Sequence, residues 1–255
     1  MGLMASAVLL QFDRASKSFT SSKGHPVVAL EDVTFPVHHG EFVTLIGPSG
    51  CGKSTLLRLA AGLEMPTAGS VSYLSQPITG PGLERGFVFQ SYSAFPWLTV
   101  SENVGFGLPN DHDGVRTLEV KRWLELMGLS EFAEAYPKVL SGGMRQRLAL
   151  ARSMIVNPKL LLMDEPFGAL DEHTRESMQQ LLLRIVADTG CTILFVTHDI
   201  REAILLGDRV IVLSARPGRV LRDVRSVLAK PRTREILRTP EFNSLYETIL
   251  DELPL

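Results

Sequence analysis

The fold is decided by the stretch Phe42-Val43-Thr44-Leu45-Ile46-Gly47-Pro48-Ser49-Gly50-Cys51-Gly52-Lys53-Ser54-Thr55. It joins an apolar run of strand length to the pattern Gly-x-x-x-x-Gly-Lys-Ser, and an apolar helical run follows from residue 56. In such a loop, glycines let backbone N–H groups close around phosphate oxygens, and the helix adds the positive end of its dipole. Lys53 would then reach the β- and γ-phosphates, and the Ser54 hydroxyl would bind Mg²⁺. A glycine-rich turn with an incidental lysine is the competing interpretation, but the flanking strand and helix favour a nucleotide site.

The composition is ordinary for a folded protein with a sizeable core. The 255 residues are 45% hydrophobic and 21% charged, with a net charge of −2, which suits one large α/β domain or a core with a subdomain. This balance does not indicate binding to nucleic acid or to an anionic membrane. No apolar run approaches the roughly eighteen residues of a membrane span, so we expect a partner chain to provide any membrane anchor. Two cysteines, and no basic leader in the apolar residues 1–10, indicate a reducing cytoplasm and no signal peptide.

The first β region is predicted as one strand followed by a hairpin. Residues 9–19 have strand character, and residues 27–46 alternate through Val33, Phe35 and Val37. The bend of the hairpin would fall at His38-His39-Gly40. The two histidines form only a weak metal motif, because no third or fourth ligand stands nearby, and a solvated turn is the favoured interpretation.

The middle of the chain combines short strands with a long helical region. Strands at residues 70–74 and 86–89 precede Gln90, which falls at the carboxyl edge where α/β sheets place ligand contacts. Ser101 is predicted to cap the next helix. The aromatic stretch at residues 94–100 fits either the core or an apolar patch for a partner helix. Residues 114–156 have helical spacing and no strand signal, so we expect a helical insertion into a βα domain.

Polar residues at a helix start and at a strand end extend the predicted site. Within the insertion, Ser141 would cap a helix, and Gly142 and Gly143 would leave its first-turn N–H groups open to an anion. The strand at residues 159–163 leads into Asp164 and Glu165, a costly placement unless the carboxylates bind something. Asp164 is suited to hold Mg²⁺, and Glu165 to orient or deprotonate an attacking water.

The last third of the chain returns to alternating helices and strands. Asp171 is predicted to cap a helix that ends at Gly190, and the strand at residues 192–196 delivers His198 to the same sheet edge for a phosphate contact. The core face of that helix would take Met178, Leu182, Ile185 and Val186. Two β segments, at residues 210–213 and 220–227, precede an amphipathic helix at residues 240–253. The apolar residues of this last helix are Phe242, Leu245, Ile249 and Leu250.

Together these motifs closely resemble the ATP-binding subunits of ABC transporters, over about residues 9–220. The five motifs, in order, are the phosphate loop, Gln90, Leu-Ser-Gly-Gly at residues 140–143, Asp164-Glu165 and His198. Within the family, the chain resembles the importers for taurine, other sulfonates and nitrate. That narrower resemblance rests on residues 94–100, 165–171 and 213–219, and on the tail at residues 240–242.

The resemblance implies roles for individual residues in a head-to-tail dimer that holds two ATP molecules. Phe19 would stack on adenine, and Gln90 and Asp164 would complete the Mg²⁺ and water environment beside Ser54. Glu165 would be the general base, and His198 would contact the γ-phosphate. The residues implied for the nucleotide are Gly47, Pro48, Ser49, Gly50, Cys51, Gly52, Lys53, Ser54 and Thr55. Ser141, Gly142 and Gly143 would cover the γ-phosphate of the opposite subunit's ATP, with Asp171 at the seam.

The implied fold class is α/β: a RecA-like P-loop NTPase core with an antiparallel β subdomain and a helical subdomain that carries the signature motif. Residues 1–255 would form one domain, with the core at about 9–90 and 159–220, the helical subdomain at about 91–158 and a C-terminal extension at about 221–255. The implied partners are a second copy, membrane permease subunits docking near residues 95–104 and, indirectly, an extracytoplasmic substrate-binding protein. Nucleic acid is not among them, and the implied location is peripheral, on the cytoplasmic face of the membrane.

Two residues depart from the family pattern. Met144 stands where the signature usually has glutamine, which affects the outer contact of that loop. Phe19 stands where many relatives have tyrosine, so stacking without a hydroxyl contact is expected.

The expected function is the ATPase of an importer for a sulfonate such as taurine, nitrate or a similar small anion. One alternative is a soluble ABC-type ATPase not coupled to a permease, which the absence of coiled coils, zinc modules and a basic surface disfavours. Another is a regulatory module that does not hydrolyse ATP, which Glu165 and His198 disfavour.

Overall fold

The computed structural model describes residues 7–91, 93–109 and 114–253. Residues 1–6, part of the stretch predicted to lack a signal peptide, lie outside the described residues. The strands are β1 (Val8–Thr20), β2 (Pro26–His38), β3 (Phe42–Ile46), β4 (Ala68–Tyr73), β5 (Gln76–Pro77), β6 (Arg85–Val88), β7 (Leu160–Asp164), β8 (Thr192–Val196), β9 (Arg209–Leu213) and β10 (Val220–Arg225). The helices are α1 (Lys53–Ala61), α2 (Val100–Gly105), α3 (Val115–Met127), α4 (Gly142–Met154), α5 (Glu172–Thr189), α6 (Ile200–Leu206) and α7 (Pro240–Glu252). Short 3₁₀ helices lie at Ser130–Phe132, Pro137–Val139 and Arg234–Arg238.

A six-stranded sheet in the order β10-β9-β3-β8-β7-β6 forms the centre of the fold. Within this sheet β9, β3, β8, β7 and β6 are parallel to their neighbours, and β10 pairs antiparallel with β9. Every residue of β3, β7, β8 and β9 is buried, as expected for strands covered on both faces. Parallel strands end at one edge, so the chain places the phosphate loop, Gln90, Glu165 and His198 after four strands of the same sheet.

The second sheet is antiparallel, in the order β2-β1-β4-β5. It corrects the predicted hairpin: β2 pairs with β1, with Phe12 opposite Phe35, whereas β3 lies in the parallel sheet. The turn at residues 39–41 therefore carries the chain from one sheet to the other. The physical reason is burial, because β3 is apolar on both faces and an antiparallel sheet with one solvated face would expose half of it.

The region between β6 and β7 is helical, as predicted, and contains α2, α3 and α4. The predicted cap at Ser101 is wrong, because the N-cap of α2 is Thr99. Its hydroxyl accepts from the Glu102 N–H at 3.2 Å, and the Glu102 carboxylate accepts from the Thr99 N–H at 2.7 Å. This reciprocal pair satisfies two backbone donors, which a serine two residues later cannot do.

The predicted helix caps at Ser141, Asp171 and Gly190 are confirmed. In α7, Phe242 and Ile249 are buried as predicted, whereas Leu250 is 40% exposed, contrary to the predicted apolar face. In α5, Val186 is only partly buried against the core. Within the described residues, no helix is long and apolar enough to cross a membrane.

Candidate functional site

The loop at residues 47–52 joins β3 to α1 and passes closely under β2. Gly52 is the N-cap of α1, with a φ of 106°, and no side chain caps the helix. A Cβ on Gly52 would stand 2.6 Å from Leu30 Cδ2 and 2.9 Å from the Ala29 carbonyl oxygen, so only glycine fits. The first-turn N–H groups of α1 are thus left to an external partner, and their positive dipole end favours an anion.

Lys53 lies inside this loop. Its Nζ donates to the carbonyl oxygens of Gly47 at 2.7 Å and Pro48 at 3.0 Å, and the residue is only 6% exposed. The nearby Cys51 thiol supplies no compensating charge, because burial raises its pKa. A buried ammonium group whose partners are two carbonyl oxygens and the Cys51 sulfur, at 4.0 Å, gains strongly from an anion, which is what a phosphate would provide.

Ser54 and Asp164 form a pair of oxygen ligands beside the loop. The Ser54 hydroxyl donates to Asp164 Oδ1 at 2.9 Å. Burial raises the pKa of Asp164, and the hydrogen bond from Ser54 opposes this effect. In the described ranges, no group of three or more His, Cys, Asp and Glu residues fits a metal, so the pair at His38-His39 gains no further ligand. One carboxylate and one hydroxyl fit Mg²⁺ when phosphate oxygens supply further ligands.

Glu165 and His198 meet at the ends of β7 and β8. His198 Nδ1 lies 3.1 Å from Glu165 Oε2, and the side chains are 66% and 22% exposed, respectively. Glu165 has a φ of 42°, a left-handed conformation that costs a non-glycine residue about 1–3 kcal/mol. Its N–H donates to the Val196 carbonyl oxygen at 3.0 Å, which holds the strained backbone in place. The carboxylate is therefore positioned between two strand ends.

A cavity of about 330 Å³ unites most of these groups. Its lining residues are Phe19, Val27, Ala29, Ser49, Gly50, Gly52, Lys53, Ser54, Thr55, Gln90, Glu165 and Arg216. Phe19 reaches it from β1 and Gln90 from the end of β6, so residues from both sheets meet here. Of the predicted residues, His198 and Asp164 lie one contact away, through Glu165 and Ser54.

The cavity also contains Arg216, which the sequence pattern does not reveal. Its Nε donates to the Gly50 carbonyl oxygen at 3.2 Å, so the guanidinium lies against the phosphate loop. The local signals are the turn at Pro217-Gly218 and the family resemblance of residues 213–219, and neither predicts where this loop folds. The contact depends on β9 lying beside β3, which is a property of the sheet order.

A second group of predicted residues lies apart from the cavity. Ser141 caps α4, its hydroxyl accepting from the Met144 N–H at 3.3 Å, and a Cβ on Gly143 would stand 2.6 Å from Thr174 Cγ2. Asp171 accepts from the Thr174 N–H at 3.0 Å, and this hydrogen bond lowers the pKa of Asp171. The starts of α4 and α5 are therefore adjacent. Ser141, Gly142, Gly143 and Asp171 are not among the described residues that line the cavity. A single chain therefore does not bring this second group of residues to the phosphate loop.

Comparisons with known proteins identify the family of this chain. A family model described as ABC transporter matches residues 30–168. The taurine import ATP-binding protein TauB of Pelagibacter ubique is 49% identical over 238 residues, 91% of this chain and 90% of that protein. This chain belongs to the ABC transporter family. The nitrate import ATP-binding protein NrtD of Synechocystis is 48% identical over 241 residues, 91% of this cassette and 90% of that protein.

A solved structure supports the architecture of the cassette. The ATP-binding cassette MJ0796, a dimer in a post-hydrolysis state bound to ADP and Pi, matches with a TM-score of 0.75 and 33% identity. The match covers 85% of this chain and 98% of that one. The predicted fold class, a P-loop NTPase core with antiparallel β and helical parts, is thereby confirmed.

Proposed function

We propose that this cassette is the ATP-hydrolysing subunit of a bacterial importer for a sulfonate such as taurine, nitrate or a similar small anion. The observation that carries the proposal is the 330 Å³ cavity, in which the phosphate loop, Ser54 and Glu165 converge. A triphosphate, its cation and an attacking water need these three kinds of group. The anion class rests on the taurine and nitrate relatives.

The residues in and around the cavity divide the work of hydrolysis among them. Phe19 offers its ring to adenine. The phosphates are held by Gly47, Pro48, Ser49, Gly50, Cys51, Gly52, Lys53, Ser54 and Thr55. Mg²⁺ belongs beside Ser54, Gln90 and Asp164, where it would neutralise charge on the phosphate oxygens. Glu165 takes the proton of the attacking water, and His198, hydrogen-bonded to that carboxylate, fixes its orientation and faces the γ-phosphate.

The second partner is another copy of the same chain. Ser141 caps α4, and Gly142 and Gly143 begin it, apart from the chain's own cavity; a two-fold dimer brings this helix start over the phosphate held by the opposite copy. Asp171 then lies at the seam. In this arrangement ATP joins the two subunits and hydrolysis releases them, which converts chemistry into movement.

The aromatic patch formed by Phe95, Trp97 and Phe106 is the proposed docking surface for the permease. Trp97 is 69% exposed and Phe106 is 57% exposed, which favours a partner surface over the core. The Phe95 ring lies 5.4 Å from that of Trp97 and 4.5 Å from that of Phe106. A short permease helix on this patch would place the cassette peripherally on the cytoplasmic face, and the substrate-binding protein would act through the permease. Nucleic acid has no role in this scheme.

The decisive experiment compares wild type, Glu165→Gln and the exposed-site control Glu247→Gln, each co-expressed with the neighbouring membrane subunits. We expect Glu165→Gln to bind ATP, lose nearly all turnover and accumulate as an ATP-bound dimer, because the amide cannot accept the proton. The membrane subunits should co-purify with all three proteins. Wild-type turnover in Glu165→Gln would refute the role of the base, and hydrolysis without any associated membrane chain would favour the soluble ABC-type ATPase.

A further inference from the structure

A second and larger cavity, of about 660 Å³, lies at the opposite edge of the parallel sheet from the phosphate loop. We call it the amino-edge cavity, because it is lined by Phe42, the first residue of β3, together with the C-terminal half of α5, Leu206 and residues 230–233. The phosphate loop follows the last residue of β3, so the two cavities do not overlap. Its volume is in the range of small-molecule sites, roughly 300–1,000 Å³.

The interior of the amino-edge cavity is apolar. Phe42 and Leu206 form the base and are almost fully buried, and Leu183 and Val186 of α5 line one side. An apolar molecular body can therefore be removed from water in this cavity, which is favourable in proportion to the area buried.

The polar part of the lining has one sign. It contributes Arg184, Lys230 and Arg232, and none of the described lining residues is acidic. Asp208 pairs with both Lys230, at 2.9 Å, and Arg232, at 3.0 Å, so a single carboxylate faces these two cations. Arg184 has no side-chain hydrogen bond or ion pair with any described residue. The three cations thus outnumber the one carboxylate paired with them, and Arg184 and Lys230 are exposed to solvent at the cavity.

Arg232, in the wall of the cavity, has a buried nitrogen without a hydrogen-bond partner. The residue is only 5% exposed, and its Nε is buried with no hydrogen-bond partner, although its other nitrogens donate to the carbonyl oxygens of Leu206 and Gly207 and to Asp208. Buried polar groups are normally paired, so this guanidinium is incompletely satisfied by the protein, and its positive charge lies in the wall of the cavity.

We propose that the amino-edge cavity binds a small amphipathic organic anion, with its carboxylate or sulfonate between Arg184 and Lys230 and its apolar body against Phe42, Leu183 and Val186. Both requirements come from the lining: an apolar interior selects the body, and unbalanced cations select the charge.

The outer wall connects the cavity to the start of α5. Thr233 lines the cavity, and the next residue, Arg234, pairs with Glu172 at 3.3 Å and Glu176 at 2.7 Å. Both glutamates lie in the first turns of α5, directly after its cap, Asp171. A bound anion would hold the segment 230–234 against α5 and so influence the dimer seam. This coupling, unlike the binding itself, rests on the proposed function.

The test is a fluorescence titration of the nucleotide-free full chain with 8-anilinonaphthalene-1-sulfonate, followed by displacement with octanoate or with uncharged octan-1-ol. We expect octanoate to displace the probe at least about tenfold more effectively than octan-1-ol. Arg184→Glu should weaken octanoate binding about tenfold or more, whereas Arg184→Lys, which keeps the positive charge, and the exposed charge reversal Arg122→Glu should bind like wild type. Ala187→Trp, which fills the cavity from an exposed position of its wall, should remove the octanoate-sensitive signal.

Two results would overturn the proposal. Equal displacement by octan-1-ol would show that charge has no role, and octanoate binding that survives both Ala187→Trp and Arg184→Glu would place the anion elsewhere on the chain. The titration contains no nucleotide, so its failure leaves the proposed function intact. Amide hydrogen exchange tests the outer wall of the cavity separately. Octanoate should slow exchange at residues 230–238 in wild type but not in Ala187→Trp.

Discussion

Asp164 illustrates how single residues of this site are placed at a cost to the fold. Its carboxylate lies at the end of a buried strand and accepts a hydrogen bond from the Ser54 hydroxyl. Lys53, with two backbone carbonyl partners, and Glu165, with a left-handed φ, carry similar costs. Each cost is recovered when a phosphate, a cation or a water arrives, so these residues are set for binding rather than for stability.

Replacing Asp164 by Asn should therefore stabilise the cassette and inactivate it. Because burial raises the pKa of Asp164, the ionised carboxylate lowers stability at neutral pH, and this cost disappears as pH falls through the raised pKa towards the ordinary value of 3.8. We expect Asp164→Asn to raise the Tm at pH 7 by roughly 2–4 °C. The gain should shrink on acidification, and Mg²⁺-dependent ATP turnover should fall by about a hundredfold or more.

Thermal denaturation between pH 5 and pH 8, with a parallel ATPase assay, measures both effects. Asp13→Asn, at an exposed carboxylate of β1, is the control and should change neither. A lower Tm for Asp164→Asn than for wild type at pH 7 would contradict this prediction, because it would mean that the ionised Asp164 carboxylate stabilises the fold.

At the scale of elements, α2 organises the aromatic patch through one residue. Asn103 is fully buried, its Oδ1 accepts from the Phe95 N–H at 2.7 Å, and its Nδ2 donates to the carbonyl oxygens of Phe95, Leu98 and Thr99. Arg152 of α4 stacks on the Phe95 ring at 4.4 Å, which links the same loop to the helix that Ser141 caps. The patch is thus fastened to two helices of the helical region.

Removing Asn103 should loosen the patch and leave the phosphate loop intact. Asn103→Ala leaves several buried backbone groups without partners, and we expect it to lower the free energy of unfolding by about 2–3 kcal/mol. ATP affinity should stay unchanged, and co-purification of membrane subunits should fall markedly. Asn243→Ala, at an exposed position of α7, is the matched control. If membrane subunits co-purified with Asn103→Ala as they do with wild type, the aromatic patch would not be the permease-binding surface.

The sequence predicts individual elements better than their partners. Strand runs, glycine ends and the caps at Ser141 and Asp171 follow from local chemistry, and the structure contains them. Local chemistry also contained the correct start of α2, since Thr99 and Glu102 have the spacing of a reciprocal cap. The predicted hairpin at residues 27–46 was wrong for a different reason. The alternation of apolar residues shows that β2 is a strand, but it does not show that β3 joins another sheet.

At the scale of the whole molecule, the site is divided between two surfaces of one chain. The cavity contains the phosphate loop and Glu165, and the starts of α4 and α5 form a separate group around Thr174. Sequence motifs name the members of both groups, but Arg216 and Asn103 are missed because their roles come from contacts between distant segments. The division into subdomains at about residues 90, 159 and 220 stays a prediction.

A change at Gly142 should separate ATP binding from dimer formation. In a Glu165→Gln background, Gly142→Asp puts a carboxylate where the opposite copy's γ-phosphate would lie, and like charges repel. An acidic residue suits the first turn of a helix, so the fold should be retained. We expect unchanged ATP affinity and no ATP-induced dimer by size-exclusion chromatography with light scattering. Gly80→Asp, at an open position, should dimerise normally, and so would Gly142→Asp if the proposed dimer were wrong.

The sheet order also sets when this protein can acquire its ligand during synthesis. The strand β3, which carries the phosphate loop, pairs with β8 and β9, and these strands leave the ribosome roughly 150 residues later. At about 5–20 residues per second, the loop waits roughly 10–30 s for the strands that hold it. The complete phosphate site, with β3 held between β8 and β9, therefore forms only when translation is nearly complete.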